Sequence, residues 1–529
     1  MDREWLLTAY YGFSHQFRNG ELYPRWIPTL FNGFGGAFFF IYPPFAYYVT
    51  TVVAMLSPVS LSLEHQLGVG YAVLLIASGL TANIWLRNNA SAHTAAVGAI
   101  LYMILPYHLF VDLYSRGALA EFSVYIWLPL TFLYVEKISD RSPRAPLCFA
   151  VSYGLLILSH FPTAVYTSPF LLLYSILLGS IERPAKERIK YFATTYLGMV
   201  LGAALVAIYM LPSLTLLGYL RTDFLWAGHF HYSNWLLCLH NCYDPFLVRT
   251  SLIALSQSLF ALGLGALVTR TVGGRANLKN LFWIFMPLAV LFLMSPAAMF
   301  IWKIATPLQK IQFPWRMLTL MDVALPYIFV RAVEDAGSVT LRKDLKETVA
   351  ILLAAIWLVA GFGSVAAGTM KDTAADLFEP RPRMVERGSS LTGEYIAAGS
   401  ILTNADLMRM DNVPWVDFKT GKGVAAMKTV GPRRKVIHVK AETPATLQLR
   451  VFYFAGWTAY DEKTGQIFPV TASAPWRAIV IEVPAGDRTV ILELKTLWQE
   501  KVGAAISAAT LLSICVYLFA TRRRQSKQA

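Results

Sequence analysis

The stretch at residues 502–529, VGAAISAATLLSICVYLFATRRRQSKQA, joins an apolar run to a strongly basic tail. About 20 apolar residues in a helix cross the roughly 30 Å hydrocarbon core of a bilayer. Lys and Arg next to such a run favour the cytoplasmic side. The stretch therefore predicts a final transmembrane helix with its tail in the cytoplasm.

The composition of the whole chain is typical of a polytopic membrane protein. Of its 529 residues, 56% are hydrophobic and only 15% are charged, whereas about 25% are charged in soluble domains. The net charge of +14 does not indicate nucleic-acid binding, because most basic residues lie in short segments between apolar runs. Eleven runs approach spanning length, at 67–86, 92–108, 119–135, 145–160, 162–180, 190–211, 251–269, 280–298, 314–332, 348–368 and 502–520.

The distribution of basic residues predicts which segments face outward. With the tail inside, the segments that connect successive apolar runs lie alternately inside and outside. The inner segments then hold 19 Lys and Arg residues, and the short outer loops hold five. This asymmetry is the positive-inside pattern. It predicts that residues 107–120, 213–250, 296–313 and 369–500 lie outside the cytoplasm.

Residues 369–500 have a different character from the rest of the chain. Apolar runs give way to short alternating segments, such as RKVIHVKAE at 434–442, separated by Gly and Pro turns. This pattern predicts an inserted β-sandwich. The predicted organisation is an outer segment with interfacial or re-entrant helices (1–66), a transmembrane helical domain (67–368), an extracytoplasmic β-sandwich (369–500), and a final helix with a basic tail (501–529).

The N-terminal segment contains YPRW at 23–26 and then AFFFIYPPFAYYVTTVVAML at 37–56. Two adjacent prolines interrupt a helix, and tyrosines favour the membrane interface. We therefore expect residues 38–57 to lie along the interface or to re-enter, which keeps YPRW outside. An outer N-terminus with no preceding span is hard to translocate, so we expect a further transmembrane helix encoded upstream of Met1.

Polar residues concentrate in the segments predicted to lie outside. Ionisable groups at membrane depth are costly and usually line cavities. We expect Asp2, Arg116, His160 and Arg316 to open into one outward-facing cavity. The loop HFHYSNWLLCLHNC at 229–242 is rich in His and Cys, but its spacing fits no standard zinc signature. A disulfide between its two cysteines is the alternative on an oxidising side.

Several motifs carry a family resemblance along nearly the whole chain. They are GELYPRW (20–26), FNGFGGAFFFIYPPFAYY (31–48), LPYHLFVDLYSRGALAEF (105–122), LSHFPTA (158–164) and IQFPWRML (311–318). With the β-domain and the last helix, they resemble the bacterial membrane proteins labelled 6-pyruvoyl-tetrahydropterin synthase-related. Nothing in the chain resembles the soluble zinc enzyme of that name, and the layout is instead similar to GT-C glycosyltransferases.

The resemblance implies a GT-C-like polytopic α-helical protein of the bacterial inner membrane. Such an enzyme moves a sugar from a polyprenyl-phosphate carrier to an envelope glycan or lipid acceptor outside the cytoplasm. The GT-C pattern has an Asp shortly after a first helix, which corresponds to Asp2, although this chain lacks that helix. The resemblance requires no certain cofactor and leaves a divalent metal open.

Sugar transfer with inversion needs a carboxylate to deprotonate the acceptor and cations to stabilise the leaving phosphate. Arginine suits the second role because its planar fork matches phosphate oxygens. We predict Asp2 as the base, with Glu4 as its substitute. The predicted substrate-binding residues are Arg25, Trp26, Tyr42, Asp112, Arg116, Glu121, His160, Gln312, Trp315 and Arg316.

Simpler interpretations of these residues stay open. Arg25 and Arg316 at helix ends can reach lipid headgroups, and Arg116 can pair structurally with Asp112 or Glu121. For the whole protein, the alternatives are a transporter or flippase of lipid-linked substrates and a non-catalytic assembly factor. The chain shows no internal repeat, which a transporter would favour.

Overall fold

The structure is a computed structural model. It describes residues 3–180, 184–268, 275–336, 395–401 and 410–526. The chain divides into two compact units. The first, here called the β unit, contains residues 1–48, 207–225 and 380–506, and the second, the helical unit, contains residues 49–206, 226–379 and 507–529.

Helices make up most of the chain. The described α-helices are α1 (Arg3–Arg18), α2 (Phe38–Ile41), α3 (Phe45–Met55), α4 (Leu63–Leu86), α5 (Ala92–Ile104), α6 (Leu119–Phe122), α7 (Trp127–Ser139), α8 (Ala145–Ser159), α9 (Phe161–Ser180), α10 (Ala185–Leu205), α11 (Ala207–Thr215), α12 (Pro245–Val268), α13 (Arg275–Met294), α14 (Met299–Ile304), α15 (Thr306–Gln309), α16 (Leu318–Ala336) and α17 (Trp498–Ser526). A π-helix spans Pro106–Arg116. Short 3₁₀ turns lie at Ser123–Ile126, Leu217–Tyr219, Thr222–Trp226, Gly228–Phe230, Tyr232–Trp235, Pro296–Ala298, Pro314–Met317 and Met410–Asn412.

The described chain has six helices that are long and apolar enough to cross a membrane, or up to eight if two bent pairs each count as one span. The membrane class is therefore confirmed, but the predicted count of about 11 spans is not. The run at 145–160 forms α8, which has only 15 residues. The run at 314–332 forms the 3₁₀ turn Pro314–Met317 and most of α16. The charged residues of α16, Asp322, Arg331, Glu334 and Asp335, are too many for an apolar span. The run at 348–368 lies outside the described residues.

The segment at 38–57 is not one continuous helix. The four-residue α2 ends at Ile41, and α3 begins at Phe45 after the two prolines. An 11-residue helix such as α3 is about 16 Å long, roughly half the thickness of a bilayer core. By itself α3 is therefore too short for a straight crossing, and the predicted place of residues 38–57 along the interface stays a prediction.

A buried carboxylate ties several helices of the helical unit together. Glu136 of α7 accepts hydrogen bonds from Trp85 Nε1 at 3.2 Å, Asn88 Nδ2 at 2.9 Å and the Tyr174 hydroxyl at 2.8 Å. Lys279 Nζ of α13 lies 2.8 Å from its Oε2. Since a buried charge is costly unless paired and hydrogen-bonded, this set links α4, α7, α9 and α13 at one defined place.

The predicted β-sandwich is confirmed as a two-sheet domain within the β unit. All neighbouring strands are antiparallel, in the orders β1-β4-β8-β7 and β2-β3-β9-β5-β6. Along β3, alternate residues are buried, as expected for a strand with one face on a core. The predicted start of the domain at residue 369 lies outside the described residues. The strands are β1 (Val416–Thr420), β2 (Gly423–Gly431), β3 (Arg434–Ala441), β4 (Ala445–Phe452), β5 (Trp457–Asp461), β6 (Ile467–Phe468), β7 (Val470–Ala472), β8 (Ala478–Val483) and β9 (Gly486–Leu494).

The N-terminal loop packs onto this β-domain inside the β unit. The backbone N–H of Phe452, at the end of β4, donates to Phe34 O at 2.9 Å. Trp26 is fully buried and meets Trp457 edge to face, with ring centroids 5.3 Å apart. Gly35 has a φ of +75°, and a Cβ there would lie 2.7 Å from the Trp26 ring, so only glycine permits this packing.

We expect Lys435→Met to stabilise the β-domain at pH 7. The Lys435 side chain is buried and donates from Nζ to Thr429 Oγ1 at 2.9 Å, and burial lowers its pKa from 10.5 to about 8. Below pH 8 the amine is protonated in both states, so folding buries a charged group and the free energy of unfolding is lowered. This cost decreases between pH 8 and 10.5, where the folded protein has released the proton and the unfolded chain still holds it. The variant should gain about 1–3 kcal/mol in unfolding free energy at pH 7, with the gain shrinking above pH 8.

Thermal unfolding of the purified protein across pH 7 to 10.5 measures this difference. Lys440→Met is the matched control, because Lys440 lies on the same strand with its side chain exposed. It should change stability by no more than about 0.5 kcal/mol. A gain for Lys435→Met that is independent of pH would contradict the interpretation.

Candidate functional site

The sequence LPYHLFVDLYSRGALAE places its polar residues on a π-helix and the turn that follows it. Pro106 lacks a backbone N–H and begins the π-helix directly after α5. Gly117 ends it with a left-handed φ of +61°, a conformation that glycine adopts without steric cost. The Ala118 N–H then donates back to Asp112 O at 2.8 Å. This reversal brings the side chains on either side of the turn together.

Arg116 pairs with a carboxylate on each side of this turn. Its Nη1 lies 2.6 Å from Asp112 Oδ1 and 2.9 Å from Glu121 Oε2. The Tyr107 hydroxyl donates to the other oxygen of Glu121 at 2.7 Å. One guanidinium therefore joins the end of the π-helix to α6.

Arg316 reaches the same carboxylate from a distant part of the sequence. It belongs to the 3₁₀ turn Pro314–Met317, and its Nε lies 3.3 Å from Glu121 Oε2. This contact is ionic rather than a hydrogen bond, because within the described chain Nε has no partner with hydrogen-bond geometry. Its Nη1 donates to Ile311 O at 2.9 Å and contacts Gln312 Oε1 at 3.4 Å.

Aromatic rings support both guanidinium groups. The Arg116 Cζ atom lies 4.6 Å from the centre of the Trp315 ring, and the Arg316 Cζ atom lies 4.8 Å from that of Phe313. Phe313 and Trp315 stack on each other at 5.0 Å. Such cation–π contacts orient a guanidinium without using its N–H donors.

His160 is connected to this cluster through hydroxyl groups. It lies between α8 and α9, and its Nδ1 is 2.8 Å from Thr163 Oγ1. Thr163 contacts the Tyr166 hydroxyl at 3.1 Å, which in turn donates to the Arg316 carbonyl oxygen at 2.9 Å. Two hydroxyl groups thus link the imidazole to the backbone of the turn that carries Arg316.

Burial differs between the two kinds of charge in the cluster. The side chains of Asp112 and Glu121 are 0% and 2% exposed, whereas Arg116 and Arg316 are 13% and 12% exposed. The carboxyl groups are therefore shielded from solvent, whereas the guanidinium groups are partly exposed. Two carboxyl groups thus face two guanidinium groups in this cluster.

The structure brings together most of the predicted binding residues but not all of them. Asp112, Glu121 and Trp315 contact Arg116, and Glu121 and Gln312 contact Arg316. His160 is linked to this group through hydroxyl groups. The simpler interpretation of Arg116 was a structural pairing with Asp112 or Glu121, and Arg116 pairs with both. The shared cavity stays a prediction.

Five predicted site residues lie elsewhere in the chain. Asp2 and the side chain of Glu4 lie outside what the structure describes, although the Glu4 backbone is part of α1. Arg25, Trp26 and Tyr42 belong to the β unit. There, Arg25 pairs with a carboxylate, and Tyr42 stacks on Phe38 with ring centroids 4.7 Å apart. Substrate roles for these five residues remain predictions.

Sequence analysis missed Asp322, a buried acid in the middle of α16. It accepts hydrogen bonds from the Tyr125 hydroxyl at 2.8 Å and from Gln257 Nε2 at 2.7 Å. The signal that could have found it is an ionisable residue within an otherwise apolar run, which usually has a function. Tyr107 and Tyr166 were also missed, because tyrosines in membrane helices are common.

The loop at 229–242 contains a disulfide, which was the predicted alternative to a metal site. Cys238 and Cys242 are joined by a disulfide, and His229 Nδ1 lies 2.9 Å from the Tyr243 hydroxyl. In the part of the chain that the structure describes, no three His, Cys, Asp or Glu side chains are grouped so that they could hold a metal ion.

Comparison with known proteins places these motifs in a broader group. A family model described as a 6-pyruvoyl-tetrahydropterin synthase related domain, membrane protein, matches residues 39–370, which include the whole arginine–carboxylate cluster. An uncharacterized protein of Lactococcus lactis subsp. cremoris (strain MG1363) is 26% identical over 202 residues. This alignment covers 37% of the present chain and 32% of that protein, so the chain spans about a third of the relative's length. No solved structure matches the chain.

We expect Glu121→Gln to destabilise the protein strongly. The substitution leaves two partly buried guanidinium groups with one carboxylate between them, and removing one partner of a buried pair costs about 3–5 kcal/mol. The matched control is Glu187→Gln, since Glu187 pairs with Arg141 at 2.6 Å on the surface and exposed pairs contribute about 0–1 kcal/mol. Melting temperatures in detergent measure both, and equal losses would contradict a special role for Glu121.

Proposed function

The chain belongs to the 6-pyruvoyl-tetrahydropterin synthase-related family of membrane proteins, and from this and the geometry of its arginine cluster we propose a membrane glycosyltransferase of the GT-C-like type. In this proposal it transfers a sugar from a polyprenyl-phosphate carrier to an envelope glycan or lipid on the extracytoplasmic side of the bacterial inner membrane. The acceptor and the lipid-linked sugar are its partners.

The single observation that carries the proposal is the convergence of Arg116 and Arg316 on Glu121. The buried carboxylate holds both guanidinium groups in place, so little side-chain entropy remains to be lost when an anion binds. Their partly exposed edges supply several N–H donors of the kind that grip phosphate oxygens. A leaving lipid phosphate, whose negative charge grows as the glycosidic bond breaks, would be stabilised there.

The roles of the acidic residues follow from their contacts. Glu121 accepts hydrogen bonds from Arg116 and Tyr107, so it orients the cations and is poorly suited to take a proton. Asp112 also holds Arg116, and its side chain is 0% exposed, which keeps it out of reach of an acceptor hydroxyl. The base that deprotonates the acceptor hydroxyl must then be another carboxylate. We keep Asp2 in this role, with Glu4 as its substitute.

Neighbouring side chains have roles that suit a lipid-linked sugar. His160 offers an imidazole to the phosphate or the sugar beside Arg316. Gln312 can donate or accept hydrogen bonds with sugar hydroxyls, and the Trp315 ring provides an apolar face of the kind on which sugars stack.

The orientation of the site is supported by the disulfide between Cys238 and Cys242. Such bonds persist in oxidising compartments outside the cytoplasm. Together with the basic tail at 522–527, this supports an extracytoplasmic position for the outer loops and for the β-domain.

A transporter or flippase is the second candidate, and one observation favours it. Asp322 lies buried within a helix, hydrogen-bonded to side chains of two other segments. Buried acids inside membrane helices often mark ion or proton pathways, which a transferase would not need.

A transfer assay with polyprenyl-phosphate sugars from cell-envelope extracts tests the proposal. Arg316→Ala should lower kcat/KM about 100-fold or more, because it removes a cation from the leaving phosphate. Asp2→Asn should lower kcat about 100-fold or more through loss of the base. Arg141→Ala, which removes an exposed arginine in a surface ion pair, is the control and should leave activity unchanged.

Three other outcomes would count against the proposal. Undiminished transfer by both variants would contradict the assigned roles. Movement of the lipid-linked sugar across vesicle membranes without transfer would favour the flippase. Absence of both activities in the folded protein would favour an assembly factor.

A further inference from the structure

The β unit contains a second cluster of two arginines around one carboxylate. Glu500 lies in the first turn of α17. Arg433 comes from the hairpin between β2 and β3, and Arg25 comes from the YPRW motif. Three separated parts of the chain therefore meet at the beginning of the last membrane helix.

The carboxylate of Glu500 accepts contacts from three residues. Arg433 grips it with a two-pronged contact, Nη2 to Oε1 at 2.8 Å and Nη1 to Oε2 at 3.1 Å. Arg25 Nε lies 3.1 Å from Oε1, and the backbone N–H of Leu497 donates to Oε2 at 2.9 Å. One carboxylate thus serves two guanidinium groups and the N-terminus of α17.

Two buried donors in this cluster have no hydrogen-bond partner among the described residues. Arg25 is 4% exposed; its Nη2 donates to Ile208 O at 2.8 Å, but its Nη1 has no partner in the described chain. The Arg25 Cζ atom lies 3.8 Å from the centre of the Tyr23 ring. The buried hydroxyl of Tyr23 also has no hydrogen-bond partner among the described residues. Buried donors without acceptors are costly and rare, so both groups point to a ligand with acceptor oxygens.

The charge of the cluster points to the same kind of ligand. In the described chain, Glu500 is the one carboxylate in ion-pair contact with Arg25 and Arg433, which leaves one positive charge uncompensated. Burial is the largest effect that lowers the pKa of Arg25, and the like charge of Arg433 adds to it, while Tyr23 and Glu500 oppose both. A bound anion would relieve this cost.

The surrounding side chains place the cluster at the level of lipid headgroups. The span at Trp498–Phe519 begins two residues before Glu500, and Trp498 is 61% exposed. Leu22, next to Tyr23, is 79% exposed. Exposed tryptophan at the end of a span is typical of the interface, and the anions of that layer are lipid phosphates.

We propose that Arg25, Arg433 and Tyr23 form a binding site for the phosphate group of a membrane lipid at the head of the last transmembrane helix. Arg25 and Tyr23 donate to phosphate oxygens from the buried side, and the 19% exposed Arg433 donates from the lipid-facing side. The phosphate belongs either to a bulk anionic phospholipid or to a polyprenyl phosphate. Its residues belong to the β unit and those of the transfer cluster to the helical unit, so the proposal does not depend on glycosyltransferase activity.

Competition binding on the full-length protein in phosphatidylcholine nanodiscs tests this site, with phosphatidylglycerol and farnesyl phosphate as probes. Arg433→Gln cancels the excess positive charge and removes one charged donor, so both probes should bind about 10- to 100-fold more weakly. Arg434→Gln is the matched control, because Arg434 is the exposed neighbour on β3, and its effect should stay within about twofold.

Glu500→Gln separates ligand binding from simple structural pairing. It raises the net charge of the cluster, so phosphate should bind as tightly as in the wild type or more tightly, even though two ion pairs are lost. Weakening equal to that of Arg433→Gln in a folded protein would overturn the proposal. Unchanged binding in Arg433→Gln would overturn it as well.

The wild-type protein provides a test that needs no variant. Saturating farnesyl phosphate should raise its melting temperature, whereas farnesol, which has the same chain without the phosphate, should not. Equal shifts for the two would overturn the site. Stabilisation by phosphatidylglycerol would identify bulk lipid as the ligand, and stabilisation by farnesyl phosphate alone would identify a carrier-type lipid.

Discussion

The arrangement of the helical unit around its polar centre depends on Glu121, a buried carboxylate that accepts contacts from two arginines. A charge in a low-dielectric interior is tolerated only with a partner and further hydrogen bonds. Arg116, Arg316 and Tyr107 supply both. Because Tyr107 and Arg116 belong to the π-helix, Glu121 to α6 and Arg316 to the turn before α16, their pairing defines how these segments approach one another.

The β unit repeats the motif with a different balance of charge. Glu500 also receives two guanidinium groups, but no second carboxylate within the described residues is in ion-pair contact with them. In the helical unit Asp112 is a second carboxyl group, 2.6 Å from Arg116 Nη1. This second carboxyl group distinguishes the cluster that we assign to a leaving phosphate from the cluster of the β unit, which we assign to a bound lipid phosphate.

These two clusters suggest a division of labour in a protein that handles lipid phosphates. Asp322 adds a third kind of site, since the described side chains that donate to this buried acid, Tyr125 and Gln257, are both neutral. The glycosyltransferase proposal gives the main role to Arg116 and Arg316, which would bind the leaving phosphate. The flippase proposal gives it to Asp322, which would lie on an ion or proton pathway. In both proposals the membrane supplies the substrate, which agrees with membership in a family of membrane proteins.

The sequence by itself determined the membrane class and the β-domain, because both follow from local periodicity. The apolar run before the basic tail and the alternation at 434–442 each carry their meaning within a few residues. It also marked Arg116 and Arg316 as candidates, since charged residues next to apolar runs stand out. Only the tertiary structure decided that both meet at Glu121, that α8 is too short to count as a span, and that Arg25 pairs with Glu500. These facts depend on residues far apart in the chain and on where helices end, which local patterns do not encode.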